Sequence, residues 1–160
     1  MNKSIVDFEC KRQFCEKSCC GMYEGMSDKM VSVENRPFNE IILLEEDVEL
    51  LNSYGFERFY EESEDYGNLI YRMKLYPDGT CNAYDNGLCT LQDCKPTLCK
   101  AYPFYFDQLI GLCCINCPGI KMEKSLNLEN NLPFIQAAIK MQKFWISYYS
   151  KLFNIKENEK

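Results

Sequence analysis

Histidine is absent from the 160 residues. That removes the usual general base near neutral pH, the Cys–His nucleophilic pair and every imidazole metal ligand. Any transition-metal site must then be built from sulfur, with a carboxylate as the only plausible helper. No stretch approaches the roughly 20 apolar residues that cross a bilayer. The first 14 residues lack the apolar centre of a secretory signal and carry acids near their front. The compartment expected on these grounds is the cytoplasm, where thiols are kept reduced, and no membrane partner is expected. Positive charge is also scarce. The 18 Lys and Arg are scattered among 24 Asp and Glu, for a net charge of −6. A nucleic-acid surface needs clustered cations to displace counterions from phosphate, so nucleic acid is not an expected partner. No glycine-rich nucleotide loop is visible. Another protein is the partner class left open, and the oligomeric state is not legible.

Cysteine is missing over sixty consecutive positions, between Cys20 and Cys81, although the chain holds 11. Seven then fall within the thirty-seven positions from Cys81 to Cys117. The first group, Cys10, Cys15, Cys19 and Cys20, reads C-x4-C-x3-C-C. The second, Cys81, Cys89, Cys94 and Cys99, reads C-x7-C-x4-C-x4-C, and the third, Cys113, Cys114 and Cys117, reads C-C-x2-C. Sulfur ligands lie about 2.3 Å from zinc, so their backbones must crowd together. Short loops bring two of them together at low closure entropy. Asp78-Gly79 leads into Cys81 and Asn86-Gly87 into Cys89, dipeptides that suit tight hairpins and resemble the knuckles presenting sulfur to a metal.

Two alternatives compete. A disulfide scaffold needs an oxidising compartment, and an odd count leaves one thiol over. Adjacent cysteines bridge each other only through a strained ring. Buried cysteines that merely pack are common singly, and that reading suits Cys94, Cys113 and Cys114 better than all 11 together. Metal ligation is the favoured reading.

The length is that of one domain, taken as 1–160 with a core over 8–120, large enough to bury a core of its own. The fold class expected is α+β: a small, irregular, metal-stabilised domain with short β-hairpins and a C-terminal helix. Ile41 to Leu44 form a short apolar run suited to a strand. A helix is expected next, with Glu45, Glu46 and Asp47 complementing its dipole, Val48, Leu51 and Tyr54 sharing a face, and Gly55 ending it. Residues 56–68, acidic and aromatic, read as a solvated loop or helix end. Over 69–90 short strands are expected around the two turns, with Leu69, Tyr71, Met73 and Leu75 alternating with Ile70, Arg72 and Lys74. Pro96 and Pro103 exclude one continuous helix over 91–120. Tyr102, Phe104, Tyr105 and Phe106 suit either a dry cover over a metal or plain core. The C-terminal helix is expected over about 132–153, with Pro133 in its first turn and an apolar stripe through Ile135, Ala138, Ile139, Gln142, Ile146 and Tyr149. Phe144, Trp145, Tyr148 and Phe153 widen that stripe.

Five segments, FECKRQFCEKSCC, IILLEEDVELL, DGTC, CTLQDCKPTLCKAYPF and CPGI, lie in that order between Phe8 and Ile120. Together they resemble the YkgJ-type cysteine-cluster family, described as zinc- or iron-chelating. The stretch Lys95 to Phe104 is the most specific part. The resemblance implies metal ligands at Cys10, Cys15, Cys19, Cys20, Cys81, Cys89, Cys99 and Cys117. The chain departs from the family pattern at the wider first cluster, which is similar to that of flagellin lysine N-methylases of the same superfamily. It departs again at Leu91-Gln92, at Lys95 and at Lys100, where an ammonium replaces the rigid fork of arginine.

Three functions follow as expectations. The first is a metal-binding protein holding zinc or an iron–sulfur cluster, [4Fe–4S] among them, since four thiolates suit both. Lys11, Arg12, Lys17, Lys95 and Lys100 would then offset thiolate charge, or simply be solvated. The second, implied only by the superfamily resemblance, is a protein lysine N-methyltransferase-like enzyme. The third is a redox or metal-delivery partner docking through its aromatic helix. Catalytic residues and a substrate are not legible.

Overall fold

The computed structural model describes residues 6–8, 40–115, 117, 119–122 and 128–154. The first cysteine group, Cys10, Cys15, Cys19 and Cys20, lies outside the described residues. The chain is mixed α+β, with short antiparallel β-hairpins and a C-terminal helix. It divides into two compact units, one spanning 11–95 and the other combining 1–10 with 96–160.

In the unit spanning 11–95, β2 (Ile42–Leu43) leads into α1 (Glu45–Ser53). The three acids open α1 as expected, and one has a more specific task. Asp47 is buried, and its Oδ2 accepts the Leu44 backbone N–H at 3.0 Å, satisfying a donor the helix itself cannot reach. Leu51 is fully buried on the helix's inner face, whereas Tyr54 is exposed at its end. Gly55 follows with φ +71°, the left-handed geometry glycine tolerates best.

The acidic stretch does not form a loop. β3 (Tyr60–Asp65) follows a 3-10 turn at Glu57–Phe59 and pairs antiparallel with β4 (Asn68–Met73), which also pairs with β2. The sheet order β2-β4-β3 makes β3 an outer strand, so its acids reach water while its backbone is bonded on one side. Arg72 lies directly opposite Glu61 and donates from Nε to Glu61 Oε1 at 2.9 Å, and from Nη1 to Glu40 Oε1 at 3.3 Å. The alternation expected for β4 is only partly kept: Met73 is buried, but Ile70 is buried and Leu69 exposed.

Both glycine turns form. Gly79 has φ +84° and donates to the Tyr76 carbonyl, and Leu75 then bridges Cys81. Asn86 and Gly87, at φ +47° and +82°, connect β5 (Tyr84–Asp85) to β6 (Leu88–Cys89) as a two-residue hairpin loop with positive φ at both central positions. The core of this unit gathers Leu43, Leu51, Phe59, Met73, Ala83 and Leu91 with Cys81 and Cys94.

In the other unit, the prolines act as expected. Pro96 precedes α2 (Thr97–Ala101), and β7 (Phe104–Asp107) begins just after Pro103. β7 pairs with β8 (Gly111–Cys114), and β1 (Val6–Phe8) with β9 (Ile120–Met122). Phe8 meets Phe134 edge-on at 5.3 Å and Phe104 at 6.4 Å between ring centroids. Phe104 and Phe106 therefore belong to this core, with Ala101, Ala137 and Ala138. α3 (Leu128–Leu152) starts about a turn before the expected boundary, so Pro133 lies inside the helix rather than at its opening. Its buried face carries Asn131, Ile135, Ala137, Ala138, Met141 and Tyr148. Ile146, expected on the inner stripe, is 41% exposed. No helix among the described residues is long and apolar enough to cross a membrane.

Candidate metal centre

Cys81 and Cys117, one in each unit, end in turns of the same kind. At Cys81, the Ala83 backbone N–H faces the thiol sulfur closely enough to favour its thiolate, and the Tyr84 N–H donates to the Cys81 carbonyl at 2.9 Å. At Cys117, the Gly119 N–H donates to Sγ at 3.4 Å and the Ile120 N–H donates to the Cys117 carbonyl at 2.9 Å. In both, the donor two residues on points at sulfur and the donor three residues on closes the turn. An N–H aimed at sulfur favours the thiolate, the form that binds a metal. Burial opposes it at Cys81: desolvation pushes its thiol above the ordinary range, the nearby Cys89 adds to the rise, and the Ala83 N–H only offsets part of it.

Cys81, Cys89 and Cys94 belong to one cluster. Cys81 and Cys94 are buried in it, and Cys89, opposite Tyr84 on the β5–β6 hairpin, packs against it half-buried. Cys94 is 1% exposed at the end of a 3-10 turn, Gln92–Cys94, consistent with a small packing residue. Beside Cys81, the Asn82 Oδ1 is buried without a hydrogen-bond partner, a local imbalance of the kind found beside functional groups. Cys99 sits half-buried on α2. Cys113 is half-buried and Cys114, the last residue of β8, is exposed, so the reading of Cys114 as a buried packing residue fails. No disulfide joins two of the seven described cysteines.

Of the residues implied as ligands, Cys81 and Cys89 are thus brought together, and Cys99 and Cys117 lie in the other unit. Cys10, Cys15, Cys19 and Cys20 lie outside the described residues. Among the described residues no group of three or more Cys, Asp or Glu is gathered into a set that could hold a metal ion. The donor chemistry nonetheless fits a soft cation. All available ligands of the right type are thiols, and two of them receive backbone N–H groups.

A second feature, a groove that the sequence did not reveal, lies along the aromatic helix named above as a docking face. An open groove of about 390 Å³ runs between the β7–β8 hairpin and the end of α3, lined by Phe106, Gln108, Trp145, Ile146 and Tyr149 among others. At the hairpin tip, Asp107 Oδ1 accepts the backbone N–H groups of Leu109 and Ile110 at 2.8 and 2.9 Å, and both side chains are largely exposed. The signal was the wide aromatic arc of the helix, which exceeds what one core face needs. Compared with known proteins, the chain matches no family model, no curated protein and no solved structure.

Proposed function

We propose that this protein binds a metal through cysteine thiolates, as zinc or as an iron–sulfur cluster, and that the metal stabilises its fold. The observation that carries the reading is the pair of matching turns at Cys81 and Cys117, each aiming a backbone N–H at its sulfur. Such bonds hold a ligand's rotamer and offset anionic charge without a side chain. Cys89 stands beside Cys81 as a second donor in the unit spanning 11–95, and Cys99 on α2 and Cys117 are proposed donors in the other. Cys10, Cys15, Cys19 and Cys20 are proposed donors as well. When bound, the metal would supply structural cross-linking, or electron transfer in the case of a cluster. The cytoplasmic location belongs to the same proposal, since reduced thiols are the form it requires.

The test is anaerobic purification with elemental analysis, a visible spectrum and serine substitutions. Zinc near a whole-number ratio in a colourless protein identifies the first form, and iron with sulfide in a brown protein the second. C81S and C117S should each lower the metal ratio. A well-folded protein with neither metal contradicts the proposal.

The groove beside α3 favours a second reading, a metal-delivery partner that docks through this face. Metal transfer to a chelator within minutes, slowed by a binding partner, would support it. Exchange over days would contradict it.

A further inference from the structure

The metal reading leaves two cysteines of β8 unused, and strand alternation separates them. Cys113 lies opposite Tyr105, and its thiol donates to the Gly111 carbonyl at 3.5 Å. Cys114 lies opposite Phe104, on the other face of the hairpin. A bridge between these neighbours would need a strained ring and side chains that turn toward each other, so they do not form the natural pair.

Cys114 has a better partner. Beyond it the Ile115 N–H donates to the Pro103 carbonyl at 2.8 Å, and the chain then enters the turn at Cys117. Cys114 and Cys117 are separated by two residues, in the order Cys-Ile-Asn-Cys. Cys114 is exposed, whereas Cys117 is 8% exposed with its sulfur held by the Gly119 N–H. Burial, then the Cys113 thiol, then the Cys117 thiol raise the Cys114 thiol above its ordinary range, so its attack is favoured toward alkaline pH. One sulfur that meets solvent, one that does not, and only two residues between them are the parts of a dithiol exchange site.

We propose that Cys114 and Cys117 react as such a site with low-molecular-weight disulfides. The Cys114 thiolate attacks one sulfur of the small disulfide, breaking its S–S bond and releasing one small thiol after protonation. The Cys117 thiolate then attacks the Cys114 sulfur, forming the Cys114–Cys117 bond and releasing the second small thiol. Two protein thiols are oxidised, and the one disulfide consumed becomes two thiols. Since Cys117 is also a proposed ligand, oxidation of the pair would remove it from metal binding. The exchange itself does not rest on the metal reading.

The experiment exposes the protein to oxidised glutathione, both as purified and after chelator treatment, then alkylates it and maps the tryptic peptide 101–121 by mass spectrometry. The expected product is an internal Cys114–Cys117 disulfide with Cys113 alkylated, in at least one preparation. The C117S variant should accumulate the glutathione adduct on Cys114 about tenfold over the wild type, because the intramolecular second step is gone. A wild-type peptide that keeps Cys114 and Cys117 separately alkylated in both preparations overturns the proposal, and so does a bridge that uses Cys113. Metal content is read separately, so a metal-free protein that still forms the pair refutes the metal reading alone.

Discussion

Sulfur in this chain occupies at least two kinds of surroundings, and each responds differently to substitution. Cys94 fills core space, so Cys94→Ala should cost about 1–2 kcal/mol in urea unfolding and leave the metal ratio unchanged. Cys81 has an N–H aimed at it in a site that disfavours charge. Its raised thiol range means that metal must displace a bound proton. Metal affinity should therefore rise with pH up to that range and fall on acidification, which competition titration across neutral to alkaline pH would measure. A pH-independent affinity would contradict the role of this thiol. Asp47 is a third case, with no connection to metal. Removing its carboxylate in Asp47→Ala frees the Leu44 N–H and should lower stability by about 1 kcal/mol, read from the urea midpoint at unchanged slope.

At the scale of elements, the hairpins depend on residues that accept positive φ. Gly87 sits at φ +82° just before Cys89. Gly87→Val should destabilise the β5–β6 hairpin by about 1–2 kcal/mol and lower metal retention through Cys89, measured by unfolding and by elemental analysis of the same sample. This element was readable in advance because Asn-Gly chemistry is local. The helix α1 was readable for the same reason: its acids, its buried Leu51 and Gly55 are all within one short window. β3 was not. Glu61, Glu62, Glu64 and Asp65 have weak strand preference, and the pairing comes from β4 across a turn rather than from their own pattern. The face of α3 was ambiguous because apolar residues cover most of its circumference. The stripe through Ile146 and Tyr149 and the buried one through Ala137 and Met141 fit the helical period about equally, and only the partners in β7 and α2 choose between them. Of the candidate site, the nearness of Cys81 to Cys89 was legible from the turns, whereas the N–H groups aimed at Cys81 and Cys117 carry no signal in side-chain identity.

At the scale of the whole molecule, the proposal ties the fold to its metal. Structural zinc contributes on the order of 10–16 kcal/mol of apparent binding free energy at neutral pH, against a net stability of about 5–15 kcal/mol for a typical domain. Chelation should therefore loosen the protein broadly rather than at one loop. The most direct measurement is native-state alkylation of the 11 thiols by mass spectrometry, with metal content determined on the same anaerobic sample. The account predicts a stoichiometric metal and protection of Cys81, Cys89, Cys99 and Cys117 that is lost on chelation, with Cys114 reactive throughout. A metal-free, cooperatively folded protein whose alkylation pattern is unchanged by chelator would contradict it.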